Sequence, residues 1–202
     1  MSKNKPIIIL ASASSARKKV LNQINLDYKI IPSNFEENMA KGIGETWADV
    51  ATRIALGKAR DVAKSHKNAL VIGADSFSVF NNKPYPKPGT YEKVKENLKK
   101  FSGKKLIHYT GMAVIDTTAG KEVTTCSIER LSFIKIPKKD IDSFVKKEDT
   151  RNFAGGFKIE GMGALLVKKI EGDYYGIVGI SVVKISEMFK KLGYNILDFI
   201  NP

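Results

Sequence analysis

A short apolar segment that gives way abruptly to a helical pattern most constrains the fold of this chain. Ile7–Ala11 is followed by the small, mostly hydroxylic stretch Ser12–Ser15, and a helical pattern then runs from about Ala16 to Ile24. A serine at the end of that stretch can cap a helix by accepting a hydrogen bond from a free backbone N–H. The sequence therefore predicts a strand, a tight loop and a helix in direct succession.

The rest of the chain mixes helical and strand patterns without a sustained βαβ alternation, which predicts an α/β fold. Its 202 residues suffice for a buried core, and we expect a single domain over residues 1–202. A glycine-rich segment, Phe153–Gly163, is predicted to be a loop. The predicted helices are Trp47–Lys64, Thr90–Phe101, a short helix opened by Pro137, and one from Val182 to Gly193. The predicted strands are Ala69–Gly73, a hairpin turning at Asn81-Asn82, Leu106–Asp116, Lys121–Ile136, Leu165–Ile170 and Tyr174–Val178.

Charge and composition narrow the function classes. The chain carries 34 Lys and Arg against 21 Asp and Glu, a formal net charge of +13, which attracts anions. The same lysines also fit an ordinary soluble surface, so charge alone leaves both a nucleotide enzyme and a nucleic-acid binder open. Cys126 is the only cysteine, which excludes an intrachain disulfide and a cysteine-rich zinc site. No apolar run is long enough to span a bilayer, and we expect a cytoplasmic protein.

One lysine lies where an apolar residue is expected. In the helix Trp47–Lys64, Lys58 falls on the apolar stripe, four residues from both Ile54 and Val62. An inward-facing lysine must either extend its ammonium to water or meet an anion. Lys58 is therefore a candidate site residue.

Hydroxyl groups and a guanidinium cluster around the first predicted loop. Ser12, Ser14 and Arg17 could cradle a polyphosphate, because the free N–H groups of a helix N-terminus add to their donors. An ordinary capped helix with solvated basic residues explains the same pattern. The Walker pattern for phosphate binding is absent from the sequence.

Other candidates are individually weaker. Asp75 follows an apolar strand and could bind a metal or accept a proton, although an aspartate there is often a turn former. The acidic pair Glu36-Glu37 could coordinate a hard divalent cation. Lys87 lies between two prolines, which stiffen the backbone, and it is otherwise a surface loop lysine.

The order of these residues along the chain is more specific than any one of them, and it resembles the signature of the Maf family. The match extends from Ile8 to Leu192. It rests on Leu10-Ala11-Ser12-Ala13-Ser14 with Arg17, Glu37, Arg53 with Lys58-Ala59, Gly73-Ala74-Asp75, Lys87-Pro88, Ser102-Gly103, Thr110-Gly111, Ala154-Gly155 and Gly172-Asp173.

The resemblance implies an elongated, two-lobed, mixed-sheet fold related to inosine-triphosphate pyrophosphatase, with the active site in the cleft. It implies a nucleoside triphosphate pyrophosphatase that depends on a divalent cation, Mg²⁺ or Mn²⁺, and is often a homodimer. The family is named for a septum-formation phenotype, which leaves a regulatory role in cell division as an alternative.

The resemblance also implies roles for individual residues. Asp75 matches the catalytic proton acceptor, and Lys58 and Lys87 match conserved lysines that we expect to stabilise developing charge. Glu37 matches an acidic site residue, expected to hold the metal together with Asp75. The phosphate-binding loop would be formed by Ser12, Ser14 and Arg17.

Three positions depart from the commonest family pattern. Ala16, Ser76 and Glu160 stand where arginine, threonine and glutamine are usual, which resembles the branch acting on 7-methyl-GTP rather than the dTTP/UTP branch. A carboxylate can accept hydrogen bonds from N1–H and the exocyclic amine of guanine and complements a positively charged methylated ring, whereas it repels the two carbonyl oxygens of uracil or thymine. We therefore expect a 7-methyl-GTP-like substrate, with dTTP or UTP as the alternative. A basic nucleic-acid-binding protein is the competing class, but it gives no reason for Lys58, Asp75 and Glu37.

Overall fold

A single mixed sheet of seven strands organises the computed structural model, which describes residues 5–202. The strands are β1 (Ile7–Leu10), β2 (Lys29–Ile30), β3 (Ala69–Phe80), β4 (Lys83–Tyr85), β5 (Lys105–Asp116), β6 (Lys121–Phe133) and β7 (Val167–Glu171). Their order is β2-β1-β3-β5-β6-β7, with β4 paired to β3. β1 is parallel to β2 and β3, whereas β4 and β7 pair antiparallel with β3 and β6. The predicted α/β class is confirmed.

Local signals place the helices. Thr46 and Asp49 form a complete capping box at the start of α2, and Gly193 ends α6 in the left-handed conformation. Pro137 precedes α4, as predicted. The helices are α1 (Ser15–Gln23), α2 (Trp47–Ala63), α3 (Tyr91–Phe101), α4 (Lys138–Lys147), α5 (Tyr174–Val178) and α6 (Val182–Leu192), with short 3₁₀ helices at Ala154–Gly156, Met162–Leu166 and Ile196–Phe199. Over residues 5–202, no helix combines the length and apolar character needed to cross a membrane.

Two predictions about strands are wrong. Tyr174–Val178 forms α5 instead of a strand, because the Asp173 carboxylate accepts a hydrogen bond from the Tyr175 N–H and caps a helical turn. Asp75 lies inside β3 and not just past its end. The strand continues because the alternating residues beyond it pair with β4 through a turn at Asn81 and Asn82, both with positive φ.

The described residues divide into two compact units. Unit 1 comprises the described residues up to Asp75 together with Thr110–Ser127 and Gly179–Pro202, and unit 2 comprises Ser76–Tyr109 and Ile128–Val178. A core cluster in unit 1 joins α2 to β1, β3 and β5 through Ile9, Ala11, Ala55, Ala59, Val62, Ala69, Val71, Ala113 and Ile115. The core of unit 2 is richer in aromatic residues, with Phe101, Phe133 and Phe157 in successive ring contacts.

Two glycines let α2 approach the sheet of unit 1 at backbone distance. A Cβ atom added to Gly73 on β3 would lie 2.1 Å from the Ala55 carbonyl oxygen, and one added to Gly111 on β5 would lie 2.1 Å from that of Ala51. Both distances are far below contact, so any larger residue would push α2 outward. These glycines therefore set the depth at which the side chains of α2 meet β3.

Candidate active site

The loop between β1 and α1 is organised by its own hydroxyl groups. The Ser14 hydroxyl caps α1, accepting the Arg17 N–H at 3.5 Å. The Ser12 hydroxyl accepts the Ser14 N–H at 3.2 Å and an Arg17 Nη1 donor at 3.0 Å. Ala16 is the second residue of α1 and is half-buried. The predicted loop residues Ser12, Ser14 and Arg17 thus lie together at a helix N-terminus, and their binding of phosphate stays a prediction.

Arg17 is buried and held in place. Its Nε donates to the carbonyl oxygen of Gly179 at 2.9 Å, also within unit 1. Burial lowers the pKa of Arg17, while the nearby carboxylates of Asp75 and Glu37 act in the opposite direction and raise it. An arginine guanidinium stays protonated in proteins, so Arg17 attracts the two carboxylates that are predicted to take part in the reaction.

Lys58 is the centre of the site in unit 1. Its Nζ lies 2.6 Å from Asp75 Oδ1 and 2.6 Å from Glu37 Oε1. Lys58 is 9% exposed and Asp75 6%. The inward position of Lys58 predicted from the apolar stripe is confirmed, and the anion that this position requires is supplied by two acidic residues of the chain itself.

Glu37 reaches Lys58 from an irregular segment, residues 31–46, that is fastened to α2. Asp61 accepts hydrogen bonds from the Ser33 hydroxyl and the Asn34 N–H, at 3.0 and 2.8 Å. The ring of Phe35 packs where a side chain on Gly57 would otherwise lie, since a Cβ there would be 2.3 Å from the ring. One helix thus carries Lys58 and also anchors the segment that brings Glu37 to it.

Arg53 completes this anchoring. Its guanidinium donates to the carbonyl oxygens of Asn38 and Ala40 at 3.1 and 2.9 Å, and its Nε lies 2.8 Å from Glu45 Oε1. The hydrogen bond from Arg53 lowers the pKa of Glu45. Sequence reasoning included Arg53 in the family signature but gave it no role. The backbone carbonyls that accept hydrogen bonds from Arg53 cannot be recognised in the sequence, so its anchoring role is seen only in the fold.

The acidic residues of unit 1 fit a divalent cation in part. Glu37 and Asp75 direct one oxygen each toward a common point, now taken by the Lys58 ammonium, and oxygen ligands suit Mg²⁺ and Mn²⁺. Within residues 5–202 no cluster of three or more potential metal ligands exists. Mg²⁺ typically binds through one or two carboxylates plus substrate phosphates and water, and two carboxylates are what the chain offers here.

The remaining predicted residues belong to unit 2. Ser76 is half-buried in β3, Lys87 is exposed between Pro86 and Pro88, and Glu160 is half-buried just before Gly161. These positions are consistent with accessible side chains. Their roles in the reaction and in substrate choice stay predictions.

Glu160 lies next to a turn that is hydrogen-bonded to Glu148. The Met162 N–H donates to Glu148 Oε2 at 2.9 Å, and a Cβ on Gly161 would lie 2.1 Å from Glu148 Oε1. Burial raises the pKa of Tyr174, and the negative charge of Glu160 adds to that rise. A carboxylate suits a ligand with hydrogen-bond donors or positive charge.

The fold and the unit 1 site define an α/β protein that combines a serine-capped helix N-terminus with a carboxylate–ammonium cluster around Lys58. The chain belongs to the Maf family, since the family model described as Maf-like protein matches residues 7–192. The predicted family is confirmed.

Named relatives match nearly the whole chain. It is 36% identical over 191 residues to the 7-methyl-GTP pyrophosphatase of Aliivibrio fischeri, covering 94% of this chain and 98% of the relative. It is 34% identical over 192 residues to the dTTP/UTP pyrophosphatase of Methanosarcina barkeri, covering 95% and 96%. It is 35% identical over 191 residues to the nucleoside triphosphate pyrophosphatase of Gloeothece citriformis, covering 95% and 96%.

Proposed function

We propose that this chain is a nucleoside triphosphate pyrophosphatase that hydrolyses its substrate to the nucleoside monophosphate and pyrophosphate. The observation that carries the proposal is the contact of Lys58 with Asp75 and Glu37 beside Arg17. These groups combine a carboxylate able to take a proton with cations able to bind phosphate oxygens. Membership of the Maf family and the activities for which its relatives are named support the same reaction.

Asp75 accepts the proton of a water molecule as that water attacks the α-phosphorus of the triphosphate. The new bond joins the water oxygen to the α-phosphorus, and the bond from that phosphorus to the oxygen bridging the β-phosphate breaks. The electron pair leaves with pyrophosphate. Arg17 and Lys58 stabilise the charge that develops on the phosphate oxygens, and we assign Lys87 the same role.

Glu37 and Asp75 would hold a divalent cation, Mg²⁺ or Mn²⁺. When bound, such an ion neutralises triphosphate charge and orients its oxygens. Ser12 and Ser14 bind the polyphosphate through their hydroxyls and the free N–H groups of α1. Removal of the metal by EDTA should therefore stop turnover, and adding Mg²⁺ or Mn²⁺ should restore it.

We further propose a 7-methyl-GTP-like purine as the substrate. Glu160 supports this choice, because its carboxylate can accept hydrogen bonds from N1–H and the amine of guanine and complements the positive charge of a methylated ring. We assign Ala16 and Ser76 to the same selectivity, as small side chains that leave room for the substrate. The alternative substrate, dTTP or UTP, is supported by the similarity to the Methanosarcina relative, which is named a dTTP/UTP pyrophosphatase.

The test is pyrophosphate release, with and without EDTA, from a panel of 7-methyl-GTP, GTP, dTTP, UTP and CTP. We expect 7-methyl-GTP to be preferred. Metal-dependent preference for dTTP or UTP would keep the reaction and reject our assignment of Glu160. If no triphosphate is cleaved and the protein binds DNA or RNA in the presence of EDTA, the enzyme proposal is wrong and the basic surface serves nucleic acid.

Glu160→Gln should reverse the preference. An amide can donate to the carbonyl oxygens of a pyrimidine, so the ratio of kcat/KM for 7-methyl-GTP over dTTP should fall by about 10- to 100-fold. Glu171→Gln is the matched control, because Glu171 is also in unit 2 and pairs with Lys169 at 2.7 Å. An unchanged ratio in a folded Glu160→Gln protein would contradict the specificity role.

The cellular setting is a separate proposal. We propose a cytoplasmic protein that works as a homodimer and clears unwanted nucleotides. Sedimentation equilibrium at micromolar concentration would measure the molar mass, and a value near 22.3 kDa would reject the dimer.

A further inference from the structure

Lys58 occupies the position between two carboxylates in which a divalent cation would be expected. We propose that Lys58 is a resident counter-cation that keeps free metal ions out of the Glu37–Asp75 pair until a nucleotide draws its ammonium away. The site would then accept a metal as part of a metal–nucleotide complex and reject it as a free ion. This inference rests on the proposed metal requirement, but it concerns the role of Lys58 alone.

The geometry makes the ammonium and a metal ion competitors. Lys58 Nζ lies 2.6 Å from one oxygen of each carboxylate, so both oxygens are committed to the same positive charge. A divalent ion at its usual distance of about 2.1 Å from those oxygens would lie within a few ångströms of the ammonium. The repulsion would be strongest beside Asp75, because Lys58 and Asp75 are buried and water screens their charges little, whereas the Glu37 side chain is 53% exposed and better screened.

Lys58 is not expected to leave both carboxylates unless another anion takes their place. It projects from the middle of α2, whose depth is fixed by the contact of Gly73 with Ala55. Leaving both carboxylates would place an unpaired ammonium in a largely buried position, which is costly. A triphosphate changes this balance, because its oxygens give Lys58 a new anionic partner while the carboxylates turn to the metal.

The consequence is coupling between the two ligands. If nucleotide binding frees the carboxylates from Lys58, metal and nucleotide must each strengthen the binding of the other. Lys58 would thereby have two roles. In the free protein it competes with metal ions for the carboxylate pair, and during turnover it binds phosphate. A lysine that only bound phosphate would leave the affinity for free metal unchanged when removed.

The experiment measures binding of Mn²⁺ alone, without nucleotide, by electron paramagnetic resonance of the free ion. Lys58→Met should bind Mn²⁺ at least about tenfold more tightly than the unaltered protein, because a competing charge has been removed from the pair. Lys58→Arg keeps the charge and should stay as weak as the unaltered protein. Adding Glu37→Gln to Lys58→Met should abolish the gain, which locates it at this pair.

Equal or weaker Mn²⁺ binding by a folded Lys58→Met protein at pH 8 would overturn the proposal. If Lys58→Met does not fold, Lys58→Gln replaces it, since the amide can still donate a hydrogen bond to one carboxylate without carrying charge. The same gain in Mn²⁺ affinity is then expected, and its absence is equally decisive. Because no nucleotide is present, a gain in the Lys58→Met variant together with no pyrophosphatase activity in the unaltered protein would support this inference while rejecting the proposed function.

Discussion

The candidate residues of the two units differ mainly in how deeply they are buried. In unit 1, Ser12, Arg17, Lys58 and Asp75 are all buried, whereas the Glu37 side chain is 53% exposed and is held by its ion pair with Lys58. In unit 2, Lys87 is exposed and Ser76 and Glu160 are half-buried. Charged groups already gathered in one place suit a reaction common to many nucleotides, because only the transfer of Lys58 from the carboxylates to phosphate oxygens has to precede the chemistry. The more accessible side chains of unit 2 suit recognition of the base, which decides among nucleotides.

Removal of the Asp75 carboxylate should cause the largest loss of activity. A small loss would contradict the difference drawn between the two units. Asp75→Asn removes the proposed proton acceptor and one partner of Lys58, so kcat should fall by about 10³-fold or more while the circular dichroism spectrum stays native. Pyrophosphate release under saturating metal measures the loss. Near-normal turnover by the folded variant would show that the buried cluster of unit 1 is structural.

Overpacking between α2 and the sheet should have the next largest effect, a loss of stability. Gly111→Ala places a Cβ against the Ala51 carbonyl oxygen and should lower the free energy of unfolding by about 3 kcal/mol, at the upper end for an overpacked core. Gly42→Ala is the control, since its Cβ would lie 3.4 Å from the flexible Glu45 side chain. Urea unfolding compares the two, and equal stabilities would mean that α2 is free to shift.

Arg53 allows the rigid framework to be loosened without touching a proposed catalytic group. Arg53→Ala frees the segment carrying Glu37, so the metal concentration for half-maximal activity should rise by about tenfold while kcat at saturating metal changes less. Arg60→Ala is the matched control on α2, because Arg60 pairs instead with Glu122 at 2.6 Å. The same metal requirement in both variants would reject a positioning role for Arg53.

The smallest expected effect concerns an exposed pair in unit 2. The hydrogen bond from Arg151 lowers the pKa of Asp149 from 3.8 to about 2. The pair therefore stabilises the folded protein fully above the ordinary pKa, and this contribution disappears as pH falls from 3.8 to about 2. Asp149→Asn should be slightly less stable than the unaltered protein at pH 6 and equally stable near pH 2, as followed by urea unfolding midpoints. Because the pair is exposed, added salt should reduce the difference.

Local signals in the sequence were sufficient to predict much of the fold. The capping box of α2, the Asn81-Asn82 turn and the stop at Gly193 depend on residues a few positions apart, and all three are present. α5 was missed, because a run of five mostly apolar residues does not distinguish a strand from a short buried helix.

The candidate site was predictable as a set of residues but not as a network. The apolar stripe placed Lys58 inside, yet its partner Asp75 lies 17 positions away, beyond the end of α2. Glu37 comes from an irregular segment with no periodicity to indicate its direction. Only the tertiary fold, through Arg53, Asp61 and Gly57, determines that this carboxylate reaches the ammonium.

A single helix, α2, supplies Lys58, provides the anchors of the Glu37 segment and packs its backbone against Gly73 and Gly111. Fluctuations that open the Glu37 segment therefore require the loss of contacts with one of the most buried elements of unit 1. The segment itself is largely exposed, so it can open locally while α2 stays folded. The reverse does not hold, because unfolding of α2 would displace Lys58 and release the Glu37 segment in one cooperative step.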